Sequence, residues 1–284
     1  MAKVVMTLLI RDEEDILEAN LTFHLAQGVE RFIVMDHLSR DGSRDIIERY
    51  CREGVAELIV QKDPGFRQAQ WVTMMARKAF TDYRADWVIN SDADEFWWPC
   101  QGDLRTSLSA VPSEFGSVTV RRHNFPPTDL PAHHFLDRMT YRDTVSLNSM
   151  GKPLSGKACH RGHAGANVRD GNHSAAVPGL PQSCELASVE IMHFPARAKD
   201  QYVRKIAAGG ASLAQTPEYR GGGTWRTLAA SQDGAALHYD QMCLTASSTA
   251  ARLEAGSIVV DTRLRDFMRA RGLAGLHAAD RRHS

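Results

Sequence analysis

Val4-Val5-Met6-Thr7-Leu8-Leu9-Ile10, broken off by Arg11-Asp12-Glu13-Glu14-Asp15, decides the fold class. An almost unbroken apolar run of this length suits a buried strand and is far too short to cross a bilayer. The acidic run behind it stands where a secretory leader needs small residues, so the stretch reads as a strand and not as a signal peptide. Asp12 and Asp15 are placed to cap a helix running to about Gln27, with Gly28 as its stop.

The same alternation repeats. Strands are predicted over Arg31 to Asp36, Ala56 to Gln61 and Asp86 to Ser91, with helices over Ser43 to Arg52 and Phe66 to Phe80 between them. Strands that are apolar throughout belong to a parallel sheet covered on both faces, and right-handed crossovers make it a doubly wound, Rossmann-like α/β layer. Ligands of such a sheet sit at the carboxyl ends of its strands. Beyond Pro99 the texture is mixed: strands are predicted at Gly116 to His123, Ser155 to Arg161 and Ala187 to His193, a helix over Lys199 to Ala208, and an Arg-rich helical tail from about Asp261. Arg263, Arg265, Arg269 and Arg271 surround Leu264, Phe267 and Met268, which reads as a helix packed on the domain, with contact to an anionic membrane surface as the alternative.

Lys plus Arg and Asp plus Glu are 34 each in 284 residues, a net charge of zero, so there is no bulk positive field to hold a polyanion and nucleic acid is not an expected partner. Hydrophobic residues at 43% exclude a disordered chain. The five cysteines are odd in number and never in a CxxC pair, which excludes a disulfide framework or zinc knot and fits a reducing cytoplasm.

The first strand-to-helix turn also excludes two nucleotide folds. A dinucleotide site needs glycines there, and Arg11-Asp12-Glu13-Glu14 offers none; no GxxxxGK[ST] run exists, because Gly151-Lys152 and Gly156-Lys157 lead into Pro153 and Ala158. The strongest chemical signal follows the fourth strand, at Asn90-Ser91-Asp92-Ala93-Asp94-Glu95-Phe96-Trp97-Trp98-Pro99. If that segment is extended, Asp92 and Asp94 point to one side and share a hard cation, Mg2+, Mn2+ or Ca2+, that keeps open positions for a diphosphate, with Mn2+ or Mg2+ preferred and a solvated acidic turn as the alternative. A phosphohydrolase with Asp92 as nucleophile is the competing enzyme reading, although it calls for Thr or Val where Phe96 stands. A sugar-nucleotide binding protein without catalysis is the third reading.

Three pieces of the chain, LLIRDEEDILEANLTFHLAQGVERFIVMDHLSRDGSRDII with WVINSDADEFWWP, then Gly171-Asn172-His173, then His193-Phe194-Pro195 with Arg197 and Lys205, resemble a bacterial branch of glycosyltransferase family 2. The resemblance implies a GT-A fold, here divided into a nucleotide-sugar-binding Rossmann-like half at 1–125 and a smaller mixed acceptor-side half at 126–215; the tail after about Gly210 lies outside the resemblance and is read as a helical extension at 216–284. It implies a metal-dependent, inverting transfer from a nucleotide-diphosphate sugar to a glycan or lipid-linked acceptor in surface glycan synthesis. Asp92, Asp94 and a late histidine, His193, are then the metal ligands. Inversion needs a base for the acceptor hydroxyl, and the family places a carboxylate near Glu185 to Glu190; Glu190 is the choice and Asp170 its competitor. Asp36 takes the nucleoside role, with capping of the turn Ser39-Arg40-Asp41-Gly42 as the alternative. Arg11, at the tip of the first strand, and Arg67, before the third helix, are cations placed to face the nucleotide, with solvated surface arginines as the alternative; His173 joins the substrate-binding set; and Lys157 with Arg161, four apart on one strand face, read either as a clamp for diphosphate or an anionic acceptor or as exposed strand charges.

Overall fold

The computed structural model describes residues 1–131, 134–148 and 150–272. In chain order the elements are β1 (Val4–Ile10), α1 (Leu17–Ala26), β2 (Val29–His37), α2 (Ser43–Arg52), β3 (Ala56–Gln61), α3 (Gln68–Thr81), β4 (Trp87–Ser91), β5 (Glu95–Pro99), α4 (Leu104–Ser109), β6 (Ser117–Asn124), α5 (Phe135–Arg138) and β7 (Tyr141–Asp143). There follow β8 (Lys157–Arg161), β9 (Asn167–Val168), β10 (Ala175–Ala176), β11 (Gln182–His193), α6 (Lys199–Ala214), α7 (Gly223–Ala229), α8 (Gly234–Met242), α9 (Ala246–Glu254), β12 (Ile258–Val260) and α10 (Arg263–Ala270). The chain divides into two compact units, Met1–Arg122 with Ser155–Ile191, and His123–Leu154 with the segment from Met192 onward.

The first unit is built on an eight-stranded sheet in the order β3-β2-β1-β4-β8-β6-β11-β5. β1 runs parallel to β2 and β4, and β2 parallel to β3. β8 then runs antiparallel to both β4 and β6. This is the α/β layer expected from the sequence, a Rossmann-like parallel half with a mixed extension. Its core is the apolar strands themselves: Val4, Val5, Met6, Leu8, Phe32, Ile33, Val34 and Met35 have no exposed surface. Each such side chain contributes about 1.5–3 kcal/mol on burial.

Two local expectations are corrected. Asp12 and Asp15 do not cap α1, whose first turn has no side-chain cap. Asp12 instead adopts a left-handed backbone, φ 54, and accepts the Arg40 N–H at 2.7 Å, while Glu14 accepts the Gly42 N–H at 2.8 Å. The acidic turn thus fastens the loop that leads into α2. Secondly, Asp92 to Asp94 is not extended: a tight turn closed by the Glu95 N–H on Asp92 O at 3.2 Å joins β4 to β5, a strand that the sequence reading does not separate.

In the second unit α6 and α8 pack through Tyr202, Ile206, Ala235 and Tyr239, with Trp225 of α7 against them. The Arg-rich α10 buries Leu264 and Met268, and Arg269 pairs with Asp137 of α5 at 2.5 Å. Its apolar stripe is covered by the protein's own chain. No helix among the described residues is long and apolar enough to cross a membrane.

Candidate functional site

The carboxyl edge of the parallel strands carries several of the residues singled out from the sequence. Arg11 follows β1, Asp36 lies near the end of β2, Arg67 precedes α3 and Asp92 follows β4. Helix α1 fixes the acidic turn from behind. The Asn20 side-chain amide donates to Ala93 O at 2.9 Å and to Glu95 O at 2.8 Å. One turn on, His24 accepts the Trp97 N–H on Nε2 at 3.1 Å, and its Nδ1–H meets Asn20 O at 2.9 Å. Burial drives the His24 pKa down to about 3, so the ring stays neutral and can accept. Neither residue was legible as functional; the only signal was two polar side chains four apart on a helix otherwise reading as core.

In front of the turn a charged cluster closes. Lys157 Nζ lies 2.5 Å from Asp92 Oδ2 and 3.2 Å from Glu95 Oε1, and Arg122 reaches the same Glu95 oxygen at 3.1 Å. The other Glu95 oxygen accepts the Asp92 N–H at 3.3 Å, and Asn172 Nδ2 donates to Asp92 Oδ1 at 3.4 Å. Glu95 is fully buried; burial pushes its carboxyl up, while the Lys157 and Arg122 charges pull against that. Asp94 is buried as well, and carboxylate oxygens of Asp94 and Glu95 come within 4.8 Å of one another. A set of hard, anionic oxygens so closely spaced fits Mg2+ or Mn2+ and fits soft metals poorly.

The loop that carries Asn172 is anchored on α3. Asp170 Oδ1 accepts the Ala69 N–H at 3.1 Å in the first turn of that helix, and the Gly171 N–H donates to Gln68 Oε1 at 2.9 Å. Gly171 and Asn172 are both left-handed, at φ 71 and 58. Asp170 is thereby a helix cap on an exposed loop. His173 meets Gly156 O through Nδ1 at 2.7 Å, which holds the start of β8 where Lys157 projects.

The remaining expected residues divide clearly. Asp36 has no exposed surface and is engaged by Arg44, at 2.5 Å and 3.2 Å, and by the Ser39 N–H at 3.2 Å. That is the turn-holding alternative, strengthened by a guanidinium from α2. Arg67 faces Asp63 at 3.3 Å. Arg161 lies at the other end of β4, opposite Trp87, and is spent on main-chain carbonyls of Val111, Pro112 and Phe115 and on the Trp87 ring. The structure does not bring it to Lys157. Glu190 lies on β11, partly buried. His193 belongs to the second unit, where its Nδ1 bonds Asn124 Oδ1 at 2.7 Å. An amide oxygen only accepts, so that contact puts the proton on Nδ1 and leaves Nε2 as the basic nitrogen.

The family model of glycosyltransferase family 92 matches residues 7–155, just over half of the 284 residues. The chain belongs to glycosyltransferase family 92. Family 92 membership makes it a glycosyltransferase and sets aside the phosphohydrolase and the non-catalytic readings. No curated protein matches the sequence. Among solved structures, residues 1–349 of S. aureus TarS are similar at 11% identity and a TM-score of 0.43, over 84% of this chain and 69% of that one. The same TarS segment in complex with UDP-GlcNAc gives 12% and 0.43, over 84% and 70%. Glucosyl-3-phosphoglycerate synthase from Mycobacterium tuberculosis, in complex with Mn2+, UDP and phosphoglyceric acid, gives 14% and 0.31, over 56% of each chain.

Proposed function

We propose that this family 92 chain moves a sugar from a nucleotide-diphosphate donor to a hydroxyl of a glycan or lipid-linked acceptor, with inversion at the anomeric carbon, in surface glycan synthesis. The observation that supports it is the buried carboxylate cluster at the carboxyl end of β4, where an α/β sheet takes its ligand. Asp94 and the outward edge of Asp92 are the residues that would hold Mn2+ or Mg2+; the place of His193 in that shell rests on the resemblance to family 2. A bound divalent ion supplies positive charge against the leaving diphosphate.

The chain's own residues do the rest. The acceptor oxygen forms its bond to the anomeric carbon as the bond to the diphosphate breaks, the bonding pair leaves with the diphosphate, and Glu190 takes the hydroxyl proton. Glu190 is preferred over Asp170 because one Asp170 oxygen is committed to the first turn of α3. Arg11, just after β1 on the same sheet edge, is the cation that would face the nucleotide.

Thermal shift with UDP, GDP and CDP, each with and without Mn2+, tests the reading. Stabilisation by one nucleoside diphosphate that requires metal and is lost in Asp94→Ala supports it. No response to any nucleotide overturns it.

A further inference from the structure

Lys157 invites the assignment of a cationic clamp for the donor's diphosphate, and the geometry points elsewhere. Its side chain is only 2% exposed, and Nζ already lies between Asp92 and Glu95 at 2.5 and 3.2 Å. An ammonium so enclosed has two of its three N–H donors spent on these carboxylates, and drawing it out to a diphosphate oxygen would strand two anions in a low-dielectric interior. The surroundings are built to keep it there. Gly156, just before it, packs so tightly that a Cβ would lie 2.6 Å from Thr119 Cγ2 and 2.7 Å from Val120 O, and His173 holds its carbonyl. Arg122, which shares the Glu95 oxygen, is tied by Nε to Ser155 O at 2.8 Å.

We propose that Lys157 is a positioning residue: a fixed internal counter-ion that occupies the cation position between Asp92 and Glu95, aims Asp92 outward and confines any divalent ion to the Asp94 side. Asp92 is then held on both oxygens, by Lys157 on one and Asn172 on the other, while its side chain keeps 34% of its surface exposed. For the effect on turnover the proposal rests on the transferase reading; its metal and labelling consequences do not.

The test uses the full chain, wild type and Lys157→Met, with a melting curve on each. In calorimetry with MnCl2 alone, Lys157→Met opens a second cation position and binds Mn2+ at least about tenfold tighter than wild type. Its UDP affinity, measured with Mn2+, stays within about threefold while kcat falls at least about thirtyfold, and Lys157→Arg recovers part of kcat. The reverse pattern, unchanged Mn2+ affinity with UDP binding weakened about tenfold or more, is that of a diphosphate clamp and overturns the proposal. Where Lys157→Met does not fold, acetic anhydride labelling of the wild type decides: Lys157 stays unmodified with or without UDP while the exposed Lys62, Lys152 and Lys199 react. Acetylation of Lys157 that UDP and Mn2+ suppress overturns it. Absence of any nucleotide binding by wild type sinks the transferase reading and leaves the Mn2+ and labelling results to judge Lys157.

Discussion

His24 accepts the main-chain N–H of Trp97 on Nε2 at 3.1 Å, so a neutral imidazole buried under α1 holds the strand that follows the acidic turn. An imidazole in the unfolded chain takes up its proton near 6.5; folded, His24 does so only near 3 and the equally buried His160 near 4. Between those limits the unfolded chain binds more protons than the folded one, so stability falls as pH falls. Each histidine contributes a slope of about 1.4 kcal/mol per pH unit, both acting from 6.5 to about 4. Urea unfolding at a series of pH values across that window measures it. A flat profile below 6.5 contradicts the buried neutral rings.

Asn20→Ala removes two hydrogen bonds to the carbonyls of Ala93 and Glu95 and leaves those acceptors buried, at a cost of about 2–4 kcal/mol. The loosened turn also lowers metal-dependent nucleotide binding. Denaturant midpoints and calorimetry on the same preparation separate the two effects. A variant that loses stability but binds nucleotide as wild type shows that the clamp serves folding alone.

Asp94→Asn keeps the volume of the side chain and removes its charge. Transfer is expected to fall by about 10²–10³ with the melting temperature little changed, and excess Mn2+ recovers part of the activity. Steady-state rates over a Mn2+ titration check this; activity indifferent to both the substitution and chelation of metal contradicts the role.

Glu190→Gln and Asp170→Asn test the base from opposite sides. The first is expected to lower kcat by about 10²–10⁴ with nucleotide affinity intact. The second weakens the cap on α3, costs about 1 kcal/mol of stability and leaves transfer near wild type. The reverse outcome moves the base to Asp170.

What the sequence made legible follows from the physics of each element. β1, β2 and β4 are buried on both faces, so their apolar runs are continuous and their order in the chain implies the parallel layer. Asp92 and Asp94 stand out because carboxylates after such a strand are costly without a purpose. The extended geometry assumed for them failed because one residue between two aspartates does not distinguish a strand from a turn. Lys157 was legible as a cation but not as the partner of Asp92, since the two lie 65 residues apart and only the β4–β8 pairing joins them. Arg161 shares its strand with Lys157 and has another fate because it lies opposite Trp87, at the far end of β4.

The interleaved path of the chain has a consequence for synthesis. β8 covers the flank of β4 and comes from residues 157–161, after the chain has left the first unit and returned to it. A nascent polypeptide halted before that return presents β4 as a bare hydrogen-bonding edge, with Asp92 and Glu95 lacking the ammonium that quiets them. Such an edge is a site for mispairing with a second copy. Until residues 157–161 have been made and released to pair, that edge stays open, and a chain truncated before them lacks the strand that covers β4.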